Sequence, residues 1–221
     1  MLRPAQRRGL GEEAAEAIRE EIFAGRFPPG STLREIELAA SLEVSRGSVR
    51  EGLAVLEREG LVHSVWHKGT RVIELTESDI EEVYAVRAAL DRLATTTAAR
   101  QANAAHLDEL DRLIAEMAAE IKGGGDGPRL LSLDIEFHEV IYRAAGNRRL
   151  LDAWHALRSQ VLMFQSHRIR LGHQHYRARV VDEHRELAEL VRAGDSPRLA
   201  RVAEEHVHSA RRALITGLRG R

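Results

Sequence analysis

Four residues in the second half of the chain have the types and spacing of a metal site. Asp134 and His138 are four positions apart in SLDIEFHEVIYRAAGN, so they share one face of a helix. His184 shares a helical face with apolar residues in VVDEHRELAELV, and His206 does so in LARVAEEHVHSARRA. One carboxylate and three imidazoles on apolar helical faces are good ligands for a divalent transition metal. His208 falls on the opposite face, and we expect it to be solvated.

The same residues have other interpretations. A histidine on an apolar face is often a core residue that is hydrogen-bonded to a carbonyl or an acid, and the four residues could simply bond to one another. A metalloenzyme, for example a hydrolase, would need a general base near the metal. Glu139 and Glu183 are only sequence neighbours of the candidate ligands, and no motif identifies either as a base. The residue types alone leave these interpretations open.

Arg87 is a candidate for anion binding, because it shares a helical face with apolar residues between Ile80 and Ala94. A buried guanidinium needs an anionic partner. One candidate partner is Asp91, one helical turn further on. The other is the carboxylate of a bound small molecule, which arginine can bind bidentately.

The stretch SRGSVREGL is a third candidate site. Arg46 and Arg50 are four positions apart on one helical face, while Val49 and Leu53 occupy the other. Small residues at the start of a helix let its N–H groups approach phosphate, and arginine to guanine is the commonest specific base contact. The stretch is consistent with a DNA-recognition helix, and also with a solvated helix that carries two surface arginines.

The elements that hold this stretch form a recognisable order. Periodic apolar residues predict three short helices, near residues 12–24, 33–42 and 46–59. Ser45 is the predicted N-cap of the third helix. The segment LVHSVWHKGTRVIEL then predicts a β-hairpin that turns at Lys68-Gly69. Three helices and a hairpin indicate a winged helix-turn-helix domain, which we place at residues 1–75.

Residues 76–221 are predicted to form a separate, all-helical bundle. Turn residues divide it into helices near 77–101, 104–122, 129–145, 148–171, 176–193 and 196–217. The fold class is therefore mostly α, with a small β-hairpin wing in the first domain.

Composition limits the kind of protein this is. The formal net charge of −1 does not indicate a polyanionic partner, and the absence of Cys excludes disulfides and thiolate metal ligands. No run approaches the ~18 apolar residues of a membrane span, and the first residues lack the apolar core of a signal peptide. We therefore expect a cytoplasmic protein with no membrane partner.

Residues in the first domain resemble the GntR family of bacterial transcription regulators. The resemblance rests on Leu33-x-Glu35-x-x-Leu38-Ala39, Val44-Ser45-Arg46, Val49-Arg50-Glu51 and Leu56-Glu57-x-Glu59-Gly60-Leu61-Val62. It implies that the partner is double-stranded operator DNA. The residues expected at the DNA are Ser45, Arg46, Ser48, Arg50 and the wing residues His67, Lys68 and Gly69.

Four positions depart from the pattern of this family. Many members carry Thr-Pro at Gly47-Ser48, and many carry Arg at Ile36, where Arg34 is a candidate replacement. Gly52 stands where Ala is usual, and it should cost helix stability of about 1 kcal/mol.

The second domain resembles the FCD effector domain, the all-helical domain of the FadR-type branch of the GntR family. The resemblance rests on Asp134-x-x-Phe137-His138, Gly146-Asn147, Glu183-His184 and His206. It implies one divalent transition metal per chain (Zn, Ni or Mn), held by Asp134, His138, His184 and His206. It also implies a small carboxylate effector, for which Arg87 and Asn147 are the candidate binding residues.

The sequence thus predicts a ligand-responsive transcription regulator rather than an enzyme. Two copies should form a homodimer whose recognition helices reach two half-sites of an operator. We expect the protein to repress transcription and the ligand to relieve that repression. The alternatives are a metal-dependent hydrolase and a regulator whose metal is only structural.

Overall fold

Helices account for most of the chain. A computed structural model of the protein describes residues 9–65, 69–125, 127–170 and 179–219. Within these ranges the chain forms nine helices and three short strands. They belong to two compact units, Met1–Leu75 and Thr76–Arg221. The predicted fold class, mostly α with a small β wing, is confirmed.

The first unit has the helix and strand order of a winged helix-turn-helix. Its elements are α1 (Gly9–Phe23), β1 (Thr32–Leu33), α2 (Glu35–Ser41), α3 (Arg46–Arg58), β2 (Val62–Val65) and β3 (Gly69–Val72). The sheet is antiparallel with β3 in the middle. Ser45 caps α3, because its hydroxyl accepts a hydrogen bond from the Ser48 backbone N–H at 3.1 Å.

The prediction that the second helix starts at Leu33 was wrong. Leu33 belongs to β1 and lies opposite Thr70 of β3. The backbone of Arg34 is extended, and the helix begins only at Glu35. A two-residue strand has no periodic signal of its own, because its pairing depends on a partner that lies almost forty residues away in sequence.

The core of the first unit depends on a close approach of α1 and α3 at Gly52. Gly52 is buried, and a Cβ there would lie 2.9 Å from both the Ala15 backbone nitrogen and the Gly11 carbonyl oxygen. Backbone atoms cannot rotate away as the end of a side chain can. The glycine therefore has a packing role that outweighs its poor helix propensity.

Replacing Gly52 with alanine should therefore destabilise the first unit. Overpacking costs about 1–3 kcal/mol, which exceeds the helix-propensity gain of about 1 kcal/mol. Gly47→Ala is the matched control, since a Cβ there would meet only the Ser45 hydroxyl, at 3.5 Å. Urea denaturation should show a lower free energy of unfolding for Gly52→Ala but no loss for Gly47→Ala. A more stable Gly52→Ala variant would contradict the packing argument.

The second unit is a bundle of six helices within the described ranges. They are α4 (Glu77–Gln101), α5 (Ala104–Lys122), α6 (Gly127–Ala144), α7 (Arg148–Arg170), α8 (Val180–Ala193) and α9 (Ser196–Arg219). A capping box between Thr76 and Asp79 starts α4, and Gly194, with a φ of 69°, ends α8. Helix α4 packs against α6, α7, α8 and α9, so it is central to the bundle.

None of the helices in the described part of the chain is both long enough and apolar enough to cross a membrane.

Candidate metal centre

The buried faces of α6, α8 and α9 bring the four predicted metal ligands together. One ligand atom from each of Asp134, His138, His184 and His206 lies within 4.8 Å of all the others. His138 Nε2 is 3.2 Å from His206 Nε2, and His184 Nε2 is 3.0 Å from Asp134 Oδ1. The first three residues are buried, and the His206 side chain is 8% exposed. The cluster is therefore almost wholly removed from solvent.

Acceptors within α8 fix the orientation of two imidazoles. His184 Nδ1 lies 2.6 Å from the Val180 carbonyl oxygen, one turn earlier in the same helix. His206 Nδ1 lies 3.1 Å from Glu183 Oε2. Burial favours the neutral acid at Glu183, but the hydrogen bond with His206 lowers the pKa of Glu183 below its ordinary value. A carbonyl and an ionised carboxylate can only accept, so both Nδ1 atoms must carry a hydrogen.

The third imidazole, that of His138, faces a carboxylate from α4. Its Nδ1 is 3.5 Å from Asp91 Oδ2. Burial, and after it the nearby Arg87 guanidinium, lowers the pKa of His138 well below its ordinary value. His138 is therefore neutral over the physiological range, with Nδ1 turned to an acceptor and Nε2 turned to the cluster.

This arrangement leaves lone pairs facing one another. In a neutral imidazole whose Nδ1 carries the hydrogen, Nε2 can only accept a hydrogen bond. If His138 and His206 are both in this form, two acceptors face each other, since their Nε2 atoms are 3.2 Å apart. His184 Nε2 is inaccessible to solvent and makes no hydrogen bond within the described residues. Its neighbour, Asp134 Oδ1, is also an acceptor when ionised. Burial opposes that ionisation, and His184 lowers the pKa of Asp134 well below its ordinary range only when a proton on His184 Nε2 is donated to the carboxylate.

Two arrangements of positive charge can satisfy these contacts. In the first, protons make one imidazolium at the His138–His206 contact and another at His184. In the second, one divalent cation occupies the cluster. A buried pair of imidazoliums is costly to desolvate, whereas three imidazole nitrogens and one carboxylate are a common donor set for divalent transition metals. The chemistry of the donors therefore fits a divalent metal ion.

Arg87 is buried beside this cluster, as its helical phase predicts, with 1% of the residue exposed. Its Cζ lies 5.6 Å from the centre of the Tyr84 ring and 5.9 Å from that of Trp154. Its Nε lies 3.4 Å from Asp91 Oδ2. Burial disfavours the guanidinium, but Asp91 raises the pKa of Arg87, which stays charged. The predicted partner Asp91 is thus close to Arg87, and the two make an ion pair.

The sequence prediction missed the residues that support the cluster. The helical pattern predicts Asp91 only as a partner of Arg87, and it identifies Glu183 only as a sequence neighbour of a candidate ligand. The pattern predicts no role for Tyr142, whose hydroxyl donates to Asp91 Oδ1 at 2.5 Å. The available signal was an acid and a tyrosine on apolar helical faces, where an unpaired polar group would be costly.

Two further predicted residues lie outside the cluster: Asn147 stays a prediction for effector binding, and the prediction of a solvated His208 was wrong. Asn147 is exposed, and its Oδ1 accepts a hydrogen bond from the Leu150 backbone N–H at 3.2 Å. It caps the start of α7 and does not join the cluster. His208 is half-buried rather than solvated, and its Nδ1 is inaccessible to solvent, because the face of α9 that is covered by packing is wider than the helical phase suggested.

The predicted DNA-contact residues of the first unit lie mainly around the start of α3. Arg46 and Arg50 are exposed, and both reach Glu35 of α2: Arg46 Nη2 is 3.5 Å and Arg50 Nε 2.8 Å from Glu35 Oε2. Arg34 is exposed and donates to Glu37 at 2.8 Å. Gly69 begins β3 with a φ of 80°, a conformation that favours glycine. His67 and Lys68 lie outside the described residues.

Comparisons with known proteins agree with this division of the chain. Residues 10–72 match the family described as bacterial regulatory proteins, gntR family, and residues 82–209 match the FCD domain. A protein of Paenarthrobacter nicotinovorans named as a probable D-xylose utilization operon transcriptional repressor is 36% identical over 89% of this chain and 84% of its own length. The gluconate operon transcriptional repressor of Bacillus licheniformis is 28% identical over 86% of this chain and 78% of its own.

Solved structures share the fold over nearly the whole chain. E. coli McbR/YncC has a TM-score of 0.79 at 18% identity, over 94% of this chain and 98% of its own. A GntR transcriptional regulator from Rhodococcus has a TM-score of 0.74 at 21% identity, over 93% of this chain and 97% of its own. At these identities the likeness concerns the fold alone.

Proposed function

The chain belongs to the GntR family of bacterial transcription regulators and carries an FCD domain, and from this premise we propose that it is a metal-dependent repressor that a small organic acid releases from DNA. It is a regulator and not an enzyme. In this proposal residues 1–75 bind the operator, and residues 76–221 bind metal and effector and form the homodimer. Two copies then present two copies of α3 to two half-sites.

The observation that carries the effector proposal is the cluster of one carboxylate and three imidazoles, with ligand atoms within 4.8 Å of one another, next to a buried arginine. A divalent metal bound there by Asp134, His138, His184 and His206 would supply a positive centre for the oxygens of an organic acid. Arg87 supplies a second positive charge nearby, because its partner Asp91 Oδ2 is also 3.5 Å from His138 Nδ1. An anion that contacts both would bind in a site almost free of solvent, where charge interactions are strong.

The chemical class of the effector follows from these charges. Arg87 matches the geometry of a carboxylate, which it can bind through two parallel hydrogen bonds. One relative is named for a gluconate operon, and gluconate is a small organic acid. The other is named for D-xylose utilization. Organic acids of sugar size are therefore the first compounds to test.

The DNA-binding part of the proposal uses an exposed face of α3. Arg46 and Arg50 project from this face. The Ser45 hydroxyl accepts from the Ser48 N–H, and the N–H groups before it, which have no partner within the helix, are positioned for a phosphate. In the absence of DNA, Glu35 Oε2 lies 3.5 Å from Arg46 Nη2 and 2.8 Å from Arg50 Nε. The hydrolase alternative has no support, because Glu139 is paired with Arg158 and Glu183 is bonded to His206.

The proposal is tested by selecting DNA from a random-sequence library with the purified protein. We expect enrichment of a near-palindromic sequence. Gluconate, citrate and other organic acids are then added to the metal-loaded protein on the selected DNA, and binding is followed by fluorescence anisotropy. At least one acid should lower DNA affinity, and Arg87→Gln should abolish that response without lowering DNA affinity in its absence. Failure to enrich any sequence would refute the operator assignment, whereas an equal acid response in Arg87→Gln would refute the effector site.

A further inference from the structure

Asp91 lies between the two halves of the proposed site. It is 2% exposed, and one of its oxygens, Oδ2, lies 3.4 Å from Arg87 Nε and 3.5 Å from His138 Nδ1. Arg87 is the proposed anion-binding residue, and His138 is a proposed metal ligand. This one carboxylate oxygen is therefore nearly equidistant from a nitrogen of the proposed anion-binding residue and a nitrogen of a proposed metal ligand.

Neither of these contacts is a complete hydrogen bond. Among the described residues, Arg87 Nε and Asp91 Oδ2 are both inaccessible to solvent and have no hydrogen-bond partner. Buried polar atoms are normally paired, so this pair of unsatisfied atoms indicates an arrangement that a further contact would complete. A small movement of Arg87 or of the carboxylate would strengthen one contact and weaken the other.

The other oxygen of Asp91 is fixed. Burial and the Asp91 carboxylate raise the pKa of Tyr142, so its hydroxyl keeps its proton and donates to Asp91 Oδ1 at 2.5 Å. The Tyr142 ring is stacked on the buried Trp154, with ring centres 4.9 Å apart. The carboxylate is therefore anchored at Oδ1, and only Oδ2 is shared between Arg87 and His138.

We propose that Asp91 is a positioning residue that couples anion binding at Arg87 to metal binding at His138. The inference rests on the proposed function and assigns a route of communication within that site. When an anion draws Arg87 away, Oδ2 becomes available to His138 Nδ1–H. A stronger hydrogen bond at Nδ1 makes Nε2 a better ligand, as carboxylate partners of metal-bound histidines do. The anion and the metal should then strengthen each other's binding, because such coupling is reciprocal.

The coupling is measured as a double-mutant cycle on metal affinity. Zn²⁺ and Co²⁺ are titrated into the full-length wild type, Asp91→Asn, Arg87→Gln and the double variant, each in competition with a chromophoric chelator. Asp91→Asn should weaken binding by about 10- to 100-fold, as losses of such supporting carboxylates do. Arg87→Gln should tighten binding in the wild-type background, because Oδ2 is then free for His138. In the Asp91→Asn background this gain should shrink by at least about 5-fold, the lower range of measured couplings.

Two results would overturn the proposal. If Arg87→Gln changes metal affinity by the same factor in both backgrounds, the arginine acts only through its charge and Asp91 transmits nothing. If Asp91→Asn leaves both the affinity and the visible absorption of bound Co²⁺ unchanged, it does not position His138. Absence of metal binding in the wild type would instead refute the proposed function, and this inference with it.

A second measurement does not depend on the folding of the Asp91 variant. Histidine-labelled wild type and Arg87→Gln, both loaded with Zn²⁺, are compared by nuclear magnetic resonance. The proton on His138 Nδ1 should move downfield in Arg87→Gln, as its hydrogen bond to Asp91 shortens, while the proton on His184 Nδ1, which faces the Val180 carbonyl, should not move. An unchanged His138 signal would overturn the coupling.

Discussion

Replacing His206 with alanine should abolish stoichiometric metal binding while leaving the protein folded. His206 is the most exposed of the four candidate ligands, at 8%, so its loss disturbs the bundle least. The change removes a metal ligand itself, and losing a residue that merely supports a ligand already costs about 10- to 100-fold in affinity. We expect elemental analysis to find about one divalent metal per chain in the wild type and almost none in His206→Ala.

His208→Ala is the matched control, because it removes an imidazole from the same helix two positions away. His208 is not a member of the cluster, so this variant should keep the metal. His138→Ala should behave like His206→Ala. A wild type that takes up no Zn, Ni or Mn would contradict the metal assignment, and so would equal metal loss in His208→Ala.

Acid should release the metal from the wild type. Metal ligands must be unprotonated, and without the metal the facing lone pairs of the cluster need protons in its place. Because its pKa is lowered, His138 stays neutral to pH values below the ordinary imidazole range, so its capacity to bind a metal is present at neutral pH and is lost only at lower pH. The metal affinity should therefore fall as pH falls. The fall should be steeper than it would be if only one ligand took up a proton, because several atoms of the cluster do.

Chelation separates a structural metal from an effector-binding one. If the metal only holds the bundle together, its removal should unfold the second unit. If it binds the effector, the apoprotein should remain folded and should lose only the response of DNA binding to organic acids. The extensive apolar core of the bundle, which includes Phe137, Trp154 and Leu187, favours the second result.

The sequence predicted the position of the cluster better than its surroundings. Helical phase was sufficient to bring Asp134 and His138 to one face, because both belong to one regular helix. The role of Asp91 depends on how α4 lies across α6, and that cross-helix alignment has no signature within either segment. Helical phase also predicted a solvated His208, which is half-buried in the structure. Phase identifies the centre of the buried face of a helix, but it does not show how far packing extends around that helix.

In the first unit, too, the sequence predicted local elements better than contacts between distant segments. Periodicity and turn residues predicted three helices and a hairpin, all of which depend on local sequence. These local signals did not predict β1, because its two residues pair with β3 only after the chain has folded. The helical cost of Gly52 was evident from propensity, but its reason, the backbone of α1 within 2.9 Å of an added Cβ, required the packed structure.

Replacing Arg50 with alanine should remove sequence-specific DNA binding. Its guanidinium is exposed on the outer face of α3, where Glu35 orients it through a 2.8 Å hydrogen bond. A bidentate contact between arginine and guanine contributes about 1–3 kcal/mol of discrimination. A dimer would make this contact twice, so the loss should be about 2–6 kcal/mol, or roughly 30-fold to more than 10⁴-fold in affinity.

Arg58→Ala provides the comparison for this loss, since Arg58 is also exposed on α3 but lies in its last turn, away from the predicted contact surface. Fluorescence anisotropy on the selected operator and on a scrambled duplex, over a range of salt concentrations, separates the two kinds of contact. If Arg50 reads a base, Arg50→Ala should bind both duplexes with similar affinity. If it contacts only phosphate, both affinities should fall together and the salt dependence should become shallower by about one unit of slope per arginine lost. Arg58→Ala should keep the preference for the operator; if Arg50→Ala also kept it at full strength, α3 would not be the recognition helix.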